Sequence, residues 1–361
     1  MRRRHPLKLA LVPLAATLIA CAPLATPAEP SPSATVSRAP SPTLAPSATV
    51  TPSASAAPSA TPSSAEFVLT EFALPRGQGP HDVAPAADGG VWYTAQLSGE
   101  LGWLDSKTGT TKAIRLGAGS APHGVIVGPD GAPWITDGGQ NAIVRVDPTS
   151  TEVKRYPLPA GRGNASLNTA TFDQDGTLWF TGQNGVFGRL DPKSGAMAVF
   201  DAPRGAGPYG IATCPDGNVY FASLAGSYVG RIARETGGAV VLTPPTANQG
   251  ARRVWCDSKS RVWVSEWNAG QLARYDGAAW QEWKLPGARP MAYAVFVDDA
   301  DVVWITDWGA NALVRFDPST ESFTVRPHPQ PNANVRQLLG RPGEVWGAMS
   351  GQDKLVVARA R

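Results

Sequence analysis

The chain is poor in the residues that metal and nucleophile sites most often use. Its 361 residues include four histidines and three cysteines, and these show no zinc-type spacing. There is no glycine-rich phosphate loop, and no serine in a nucleophile elbow precedes an acid and a histidine in the hydrolase order. The sequence therefore offers no motif for a zinc protein, a nucleotide-binding protein or a serine hydrolase.

The net positive charge also disappears once the N-terminus is set aside. Residues 1–20 have a basic start followed by an apolar run too short for a spanning helix, which is typical of an export signal. Arg2, Arg3, Arg4 and Lys8 leave with that signal, so the formal net charge falls from +3 to −1. No lysine or arginine stripe remains, which argues against a nucleic-acid partner.

The next segment predicts how the protein is held at the cell surface. The stretch "LIAC", ending at Cys21, resembles the lipobox of bacterial lipoproteins, in which the cysteine receives the lipid. A plain secretory signal with an incidental cysteine is the alternative. Residues 21–64 are nearly all Pro, Ser, Ala and Thr after this cysteine and predict a disordered tether. We expect a monomer outside the cytoplasm, anchored to the bacterial membrane by a lipid on Cys21, or secreted without it.

Residues 65–361 contain a repeat. An aromatic residue precedes a short apolar segment, as in "VWYTA", "PWITD" and "VWVSE", at intervals of 41 to 45 residues. The seven aromatic residues are Trp92, Trp134, Trp179, Tyr220, Trp263, Trp304 and Trp346. Each copy reads as four short strands with glycine-containing turns and no helical period. Four-stranded units repeated in this way predict an all-β, seven-bladed β-propeller.

The ends of the repeat region predict how the ring closes. "EFVLTEFALP", from Glu66 to Pro75, matches the fourth strand of a blade but precedes the first copy. "KLVVARA", from Lys354 to Ala360, matches a third strand, and no fourth strand follows it. The N-terminal strand is therefore expected to complete the seventh blade, which removes an exposed sheet edge.

Two positions in each copy vary while the scaffold letters repeat. The start of strand one and the end of strand two, fourteen residues later, are expected on one face, around the mouth of the central channel. The strand-one positions are His81, His123, Asn168, Tyr209, Arg252, Tyr293 and Arg336, the last with a register alternative at Val335. The strand-two positions are Ala95, Asp137, Gly182, Ser223, Glu266, Asp307 and Met349. A varied polar ring predicts a small-molecule site, although a water-filled channel mouth would also be polar.

The stretches "APHGVIVGPDGAPWITDGGQNAIVRVD" and "GPYGIATCPDGNVYFASLAGSYVGRI" resemble the blade pattern of the virginiamycin B lyase family. The resemblance covers all seven copies. It implies elimination across an ester of a cyclic peptide antibiotic, and hence antibiotic resistance, with bound magnesium. In the family, histidines occupy the strand-one position of the last two blades. An acid two residues before the second histidine, which is the base, and a glutamate fourteen after it hold the metal.

This chain departs from that pattern in its last two blades, where Tyr293, Arg336 or Val335, and Met349 stand at those positions. A partial copy lies elsewhere: His81 and His123 are in adjacent blades, and Asp137 follows the second histidine by fourteen residues. Ala121 stands where the other acid would be.

The candidate site is therefore a rotated copy of the family's own. The resemblance implies His123 as the base with His81 beside it, and Asp137 as a ligand of Mg²⁺. The candidate substrate-binding residues are Tyr209, Arg252, Tyr293, Glu266, Asp307 and Arg336. Glu266, Asp307 and Arg252 could instead form a separate charged patch.

Two functions stay open. The protein is either a lyase that opens a cyclic ester or lactone, or a binding propeller for a small molecule, glycan or protein. The histidines could also be ordinary residues of "PHG" turns at strand starts.

Three further residues complete the expectations. Cys214 and Cys256 lie in strand one of neighbouring blades with a register offset of one, so both a disulfide and two free thiols remain possible. His328 is expected to be exposed in a loop between blades.

Overall fold

A computed structural model describes residues 67–360, and these residues form 28 β-strands and no helix. The strands build seven four-stranded sheets, each an antiparallel meander. None of the described residues forms a helix long and apolar enough to cross a membrane. The prediction of an all-β, seven-bladed propeller is confirmed. The export signal, Cys21 and the tether lie outside the described residues.

The strands are numbered in chain order and grouped by blade. The first strand, β1 (Phe67–Ala73), belongs to blade 7. Blade 1 contains β2 (Pro80–Pro85), β3 (Gly90–Ala95), β4 (Glu100–Asp105) and β5 (Thr111–Arg115). Blade 2 contains β6 (Pro122–Val127), β7 (Pro133–Asp137), β8 (Ala142–Val146) and β9 (Val153–Pro157). Blade 3 contains β10 (Leu167–Phe172), β11 (Leu178–Gly182), β12 (Val186–Leu190) and β13 (Met197–Asp201).

The remaining blades follow the same order. Blade 4 contains β14 (Pro208–Thr213), β15 (Val219–Ser223), β16 (Tyr228–Ala233) and β17 (Gly238–Leu242). Blade 5 contains β18 (Ala251–Cys256), β19 (Val262–Glu266), β20 (Gln271–Tyr275) and β21 (Trp280–Lys284). Blade 6 contains β22 (Ala292–Val297), β23 (Val303–Asp307), β24 (Ala312–Asp317) and β25 (Ser322–Pro327). Blade 7 contains β26 (Val335–Arg341), β27 (Glu344–Met349) and β28 (Lys354–Ala360), and β1 is its outer strand.

The ring is closed as the sequence predicts. Strand β1 pairs antiparallel with β28 over its whole length, from Phe67 opposite Ala360 to Ala73 opposite Lys354. The first strands of neighbouring blades contact one another around the ring, and β26 of the last blade contacts β2 of the first. The first strand of each blade therefore surrounds a common axis.

The hydrophobic core lies between the faces of adjacent blades. Between blades 2 and 3, for example, Trp134 and Ile143 pack against Leu167, Leu178 and Phe180. Burial of these large apolar side chains from both blades holds the two sheets together. The repeated aromatic residues are thus core residues, as the repeat predicts.

The turn between strands one and two is tied to the repeated tryptophan. In three blades, the indole N–H donates to the aspartate six residues earlier, at 2.7 to 2.9 Å. In blade 3 this aspartate is Asp173, which also accepts the backbone N–H groups of Asp175 and Thr177. Gly176 of this turn has a φ of +81°, a conformation that glycine adopts without strain.

The two cysteines of the propeller form a disulfide between blades 4 and 5. Cys214 follows β14, and Cys256 ends β18, with a Cα–Cα distance of 5.2 Å. The bond closes a segment of the chain across a sequence separation of 42 residues. It fastens two neighbouring first strands to each other covalently.

Candidate functional site

The seven strand-one side chains predicted from the repeat meet at the axis. The imidazole rings of His81 and His123 lie 3.6 Å apart between centroids. Across the ring, the hydroxyl groups of Tyr209 and Tyr293 are 2.6 Å apart. The axial ring is formed by His81, His123, Asn168, Tyr209, Arg252, Tyr293 and Arg336. We call the first three the histidine half and the other four the arginine half.

These side chains fill the axis rather than line an open channel mouth. His81 is 2% exposed, His123 7% and Tyr293 0%. Arg252 and Arg336 are partly buried, so the arginine half is the part of the ring that solvent reaches most easily. The expectation of a water-filled mouth at this level is corrected by this packing.

A β-bulge explains why the ring residues point inward. In all seven blades, the pairing of strand one with strand two shifts register at the ring position. In blade 2, Pro122 pairs with Asp137, but Gly124 already pairs with Thr136, which leaves His123 without a partner. A bulge of this kind redirects a side chain, and here each one turns the ring residue towards the axis.

A hydroxyl residue two positions after the repeated aromatic residue holds the ring in place. The Thr136 hydroxyl accepts the N–H of Gly124 at 2.9 Å and donates to the carbonyl of Asn168 in the next blade. The same bridge between blades is made by Thr94, Thr181 and Ser265. This role was not predicted, although the letters "WYT", "WIT", "WFT" and "WVS" carried the signal.

A second layer of side chains lies directly behind the ring. Asp82 of blade 1 pairs with Arg253 of blade 5 across the axis, with 3.1 Å between Oδ1 and Nη2. Arg253 also donates to the Thr169 hydroxyl of blade 3 at 2.6 Å. Gly210 at the equivalent place in blade 4 gives the arginine room, since a Cβ there would lie 2.7 Å from the Arg253 Cα. This buried ion pair closes the axis behind the ring.

The histidine half is held by specific hydrogen bonds. His81 Nδ1 is 2.8 Å from Asp82 Oδ1, so an N–H on Nδ1 donates to the carboxylate and Nε2 keeps its lone pair. His123 Nε2 is 3.2 Å from the Asn168 amide nitrogen, and His123 Nδ1 is buried without a partner. The His81 imidazole is therefore oriented by a carboxylate. The His123 imidazole keeps one ring nitrogen, Nδ1, without a hydrogen-bond partner.

Burial and positive charge keep both histidines neutral. Burial lowers the pKa of His81 well below its usual value, and the guanidinium groups of Arg336, Arg253 and Arg252 lower it further. Burial likewise lowers the pKa of His123, and His81 adds to the effect. Two neutral imidazoles are therefore present at the axis at neutral pH.

The arginine half stacks guanidinium groups on aromatic rings. The Arg252 guanidinium lies 3.7 Å from the Tyr293 ring centroid and 4.7 Å from that of Trp267. Its Nη2 donates to the Tyr209 hydroxyl at 3.0 Å, and its Nε is buried without a partner. Arg336 lies 5.3 Å from the Trp308 ring, and its Nη1 is 3.4 Å from the Tyr293 hydroxyl.

The guanidinium groups favour negative charge at Tyr293. Burial alone would raise the pKa of Tyr293, but the guanidinium groups of Arg252, Arg253 and Arg336 outweigh it and lower that pKa. Burial raises the pKa of Tyr209, which shares a hydrogen bond with Tyr293. Among the ring and the layer behind it, the only carboxylate is Asp82, and it is already paired with Arg253. Two guanidinium groups remain without a carboxylate.

The strand-two acids lie in a different environment from the one expected. The Asp137 carboxylate accepts the Ser120 hydroxyl at 2.5 Å and the backbone N–H groups of Ala121 and Gln140 at 3.0 Å. Asp137 is opposite Pro122 in the sheet rather than His123, because the bulge at His123 turns the histidine to the axis. The expectation that Asp137 faces His123 is corrected: this carboxylate caps a loop of its own blade.

Glu266 and Asp307 are likewise committed to their own blades. Asp307 accepts the backbone N–H groups of Met291 and Gly309, both at 2.8 Å. Glu266 accepts the Gln271 amide at 2.7 Å, and burial raises its pKa to about 8. The described contacts of these two acids do not join them to Arg252, contrary to the expected patch.

Magnesium, which the family resemblance implies, does not fit the residues at the axis. The histidine and carboxylate atoms that lie within 4.8 Å of one another belong to His81, Asp82 and His123. Magnesium prefers six oxygen ligands, and this group offers one carboxylate that Arg253 and His81 already occupy. Three guanidinium groups nearby would also repel a divalent cation.

His328 corrects a further expectation. His328 is buried, with 6% of its surface exposed, although the sequence predicts an exposed residue. The backbone N–H of His328 donates to the Asn311 carbonyl at 2.9 Å, which holds the loop after β25 against the blade. Burial lowers the pKa of this histidine. It lies between blades 6 and 7 and is not part of the axial ring.

A groove also lies between blades 2 and 3. Its cavity volume is about 560 Å³, and Trp134, Tyr156, Phe172 and Lys154 are among its lining residues. Pro129, which also lines the groove, lies in the turn after β6. His123 lies near the other end of that strand. The groove is therefore distant from the axial ring along the strand direction.

Seven four-stranded blades around a plugged axis, with one varied ring of side chains, define a seven-bladed β-propeller with a candidate small-molecule site. The sequence profile described as "Virginiamycin B lyase family" matches residues 67–356, and the chain belongs to that family. No curated protein sequence matches the chain.

Solved structures support the same fold. Selenomethionine-substituted virginiamycin B lyase from Staphylococcus aureus aligns with a TM-score of 0.76 at 22% identity, covering 82% of this chain and 100% of that one. A streptogramin B lyase structure aligns with the same TM-score at 24% identity, covering 82% and 98%. A catalytically inactive virginiamycin B lyase from S. aureus with quinupristin gives 0.76 at 23% identity, covering 82% and 100%. At these identities the likeness concerns the fold.

Proposed function

We propose that the axial ring is a small-molecule binding site and that the protein is a binding propeller of the virginiamycin B lyase family. One observation carries the proposal: the ring brings different side chains from all seven blades together and leaves buried donors without partners. Those donors include His123 Nδ1 and Arg252 Nε. Buried polar groups are normally hydrogen-bonded, so a ligand that reaches them would satisfy them.

The first ligand to test is quinupristin, because a similar propeller has been solved with it. We expect saturable binding by titration calorimetry that EDTA does not abolish, because the axial residues fit magnesium poorly. His123→Ala should weaken binding at least tenfold. Lys154→Ala, in the groove between blades 2 and 3, should leave it unchanged. Binding that depends on Lys154 rather than His123 would place the site in the groove and contradict the proposal.

Elimination on a cyclic ester is the second candidate, and the neutral histidine pair favours it. The Asp82 carboxylate orients His81 so that Nε2 carries the lone pair of a base, and Arg336 Nη1 lies 3.5 Å from that nitrogen. In such a reaction the base takes the α-proton, a carbon–carbon double bond forms, and the ester C–O bond breaks to release a carboxylate. A guanidinium of the arginine half would stabilise the developing enolate oxygen. The reaction would then need no metal ion. By this geometry His81 is a better base than His123.

Mass spectrometry separates this reaction from hydrolysis. Elimination opens a cyclic ester without changing its mass, whereas hydrolysis adds one water. With quinupristin we expect a linear product of unchanged mass if the protein is a lyase, lost in His81→Gln and kept in EDTA. Binding without product would support the binding propeller, and turnover that requires magnesium would contradict the metal-free reaction.

We also propose that the propeller is held outside the cytoplasm by a lipid on Cys21. The motif before Cys21 and the Pro-, Ser-, Ala- and Thr-rich segment after it support this. In a bacterial host, the wild-type chain should incorporate labelled palmitate and partition into detergent. Cys21→Ser should not incorporate the label. A Cys21→Ser protein that still incorporates labelled palmitate would contradict lipid attachment at this residue.

A further inference from the structure

We infer that the axial ligand carries a carboxylate attached to a flat apolar body, and that Arg252 and Arg336 hold the carboxylate. This inference rests on the proposed function, because it names the ligand chemistry of the same site. It also replaces the cation that the family resemblance implies with an anion.

The charge balance at the axis is the first argument. Arg252, Arg253 and Arg336 bring three positive charges, and Asp82 brings the only negative charge of the ring and the layer behind it. The charge of Arg253 is paired with that of Asp82. Within residues 67–360, no acid lies within ion-pair distance of Arg252 or Arg336. Two partly buried guanidinium groups without a counter-ion are a natural site for an oxyanion.

The positions of these two guanidinium groups are the second argument. Both contact Tyr293, Arg252 over its ring at 3.7 Å and Arg336 at its hydroxyl at 3.4 Å. Arg336 is aligned by the Ser350 hydroxyl, which accepts its Nε–H at 2.8 Å. Both side chains therefore contact the same tyrosine, and Arg252 Nε is buried with no acceptor. The same groups lower the pKa of Tyr293 against the effect of burial, whereas burial raises the pKa of its neighbour Tyr209.

The surface next to the arginines is the third argument. The residues that directly follow strand two include Leu224, Trp267 and Trp308 in blades 4 to 6, and all three are only partly buried. The Trp267 and Trp308 rings are 5.5 Å apart at an angle of 82°. The corresponding residues of blades 1 to 3 are Gln96, Gly138 and Gln183. Only the arginine half therefore has an aromatic wall beside its cations, which suits a flat apolar group joined to an anion.

Phenylacetate and phenylacetamide provide the test, because they have nearly the same shape and differ in charge. By ligand-observed NMR and calorimetry, phenylacetate should bind the full chain with a millimolar dissociation constant, as expected for a ligand of about ten heavy atoms. Phenylacetamide should bind at least tenfold more weakly. Acetate and inorganic phosphate are the remaining probes, and both should bind more weakly than phenylacetate because they lack the apolar body.

Two variants assign the binding to the arginines. Arg336→Gln and Arg252→Gln should each weaken phenylacetate binding about tenfold or more. Arg274→Gln is the matched control, because Arg274 also lies in blade 5 over two tryptophan rings and donates to Gln281, yet lies away from the axis. The control should bind as the wild type does. If Arg252→Gln does not fold, the inference is still tested by Arg336→Gln and by the comparison of phenylacetate with phenylacetamide on the wild type.

Each outcome is informative. Equal binding of the acid and the amide, or wild-type affinity in folded Arg336→Gln, would overturn the inference. Phosphate binding as tightly as phenylacetate through the same arginines would overturn the carboxylate and its apolar body. If quinupristin binds in a His123-dependent way and phenylacetate neither binds nor competes, the anion inference fails and the proposed function stands. If quinupristin and every probe fail to bind at the axis, both fail.

Discussion

The two halves of the axial ring share a backbone and differ in almost everything else. The histidine half is deeply buried, joined to Asp82 and without free positive charge, whereas the arginine half is partly exposed, aromatic and cationic. Both halves are placed by the same bulge and, with the exceptions of Ala222 in blade 4 and Ala348 in blade 7, by a similar "W-x-T" or "W-x-S" strand. A symmetric scaffold can therefore present a reactive side and a recognition side on one surface, with seven variable positions carrying the difference.

The largest expected effect comes from the ion pair that joins the two halves. Arg253→Met should reduce the free energy of unfolding by about 3–5 kcal/mol, because it leaves the Asp82 carboxylate buried without its partner. Chemical denaturation measures this. The double variant with Asp82→Asn should recover much of the loss. As a control, Arg115→Met should change stability by less than about 0.5 kcal/mol, because Arg115 is 92% exposed in its pair with Glu100. Equal effects at both pairs would show that the axial pair does not hold the halves together.

The disulfide should have the next largest effect, and it fastens blades 4 and 5 of the arginine half only. Replacing Cys214 and Cys256 with alanine should cost about 2–4 kcal/mol, through greater freedom of the unfolded chain. Denaturation with and without reductant measures the difference, and the alanine variant should not respond to reductant. If the wild type is equally stable when reduced, the bond does not contribute as expected.

The histidine half should make stability depend on pH. Both folded pKa values lie below the usual value of about 6.5. The unfolded chain therefore binds more protons below that pH, and stability is complete above it and falls as the pH falls. The slope should approach about 1.4 kcal/mol per pH unit for each histidine. Burial raises the pKa of Asp82, although Arg253 acts against this. Protonation of Asp82 at lower pH therefore favours the folded state and opposes the effect of the histidines.

Comparison of wild type with His81→Gln and His123→Gln between pH 7.5 and 5.5 isolates this effect. Each variant should lose about half of the wild-type pH dependence in denaturant unfolding. Arg336→Gln, in the other half, should keep a falling stability at low pH. A wild type whose stability is constant over this range would contradict the neutral, buried state of the pair.

The smallest effect should be equal in the two halves. Thr94→Val removes a bridge between blades in the histidine half, and Ser265→Ala removes one in the arginine half. Each should cost about 1 kcal/mol, the usual net value of a hydrogen bond. Unequal losses would mean that the shared scaffold is itself asymmetric. Ala222→Ser, at the blade 4 position that lacks the hydroxyl, is the reverse test and should be neutral or stabilising.

The repeat was enough to predict the fold and the residues of the axial ring, because period and turn chemistry follow from local sequence. Asp137 was misplaced because a single-residue bulge decides which side chain faces the axis, and a bulge leaves no obvious letter. Asp82 and Arg253 were missed, although opposite charges at equivalent positions of two blades, where the other blades have uncharged residues, were a usable signal. The Cys214–Cys256 bond stayed open because pairing depends on how far neighbouring blades are shifted along the axis, which no single repeat encodes.

Closure of the ring by β1 has a consequence for the order of events in biosynthesis. Phe67 pairs with Ala360, so the first strand of the propeller to be synthesised must wait for the last one. Until then six blades can form in succession, each from contiguous chain, while blade 7 lacks its outer edge. The final blade can thus form only after all the other blades have been synthesised. A chain interrupted before β28 would leave β1 unpaired.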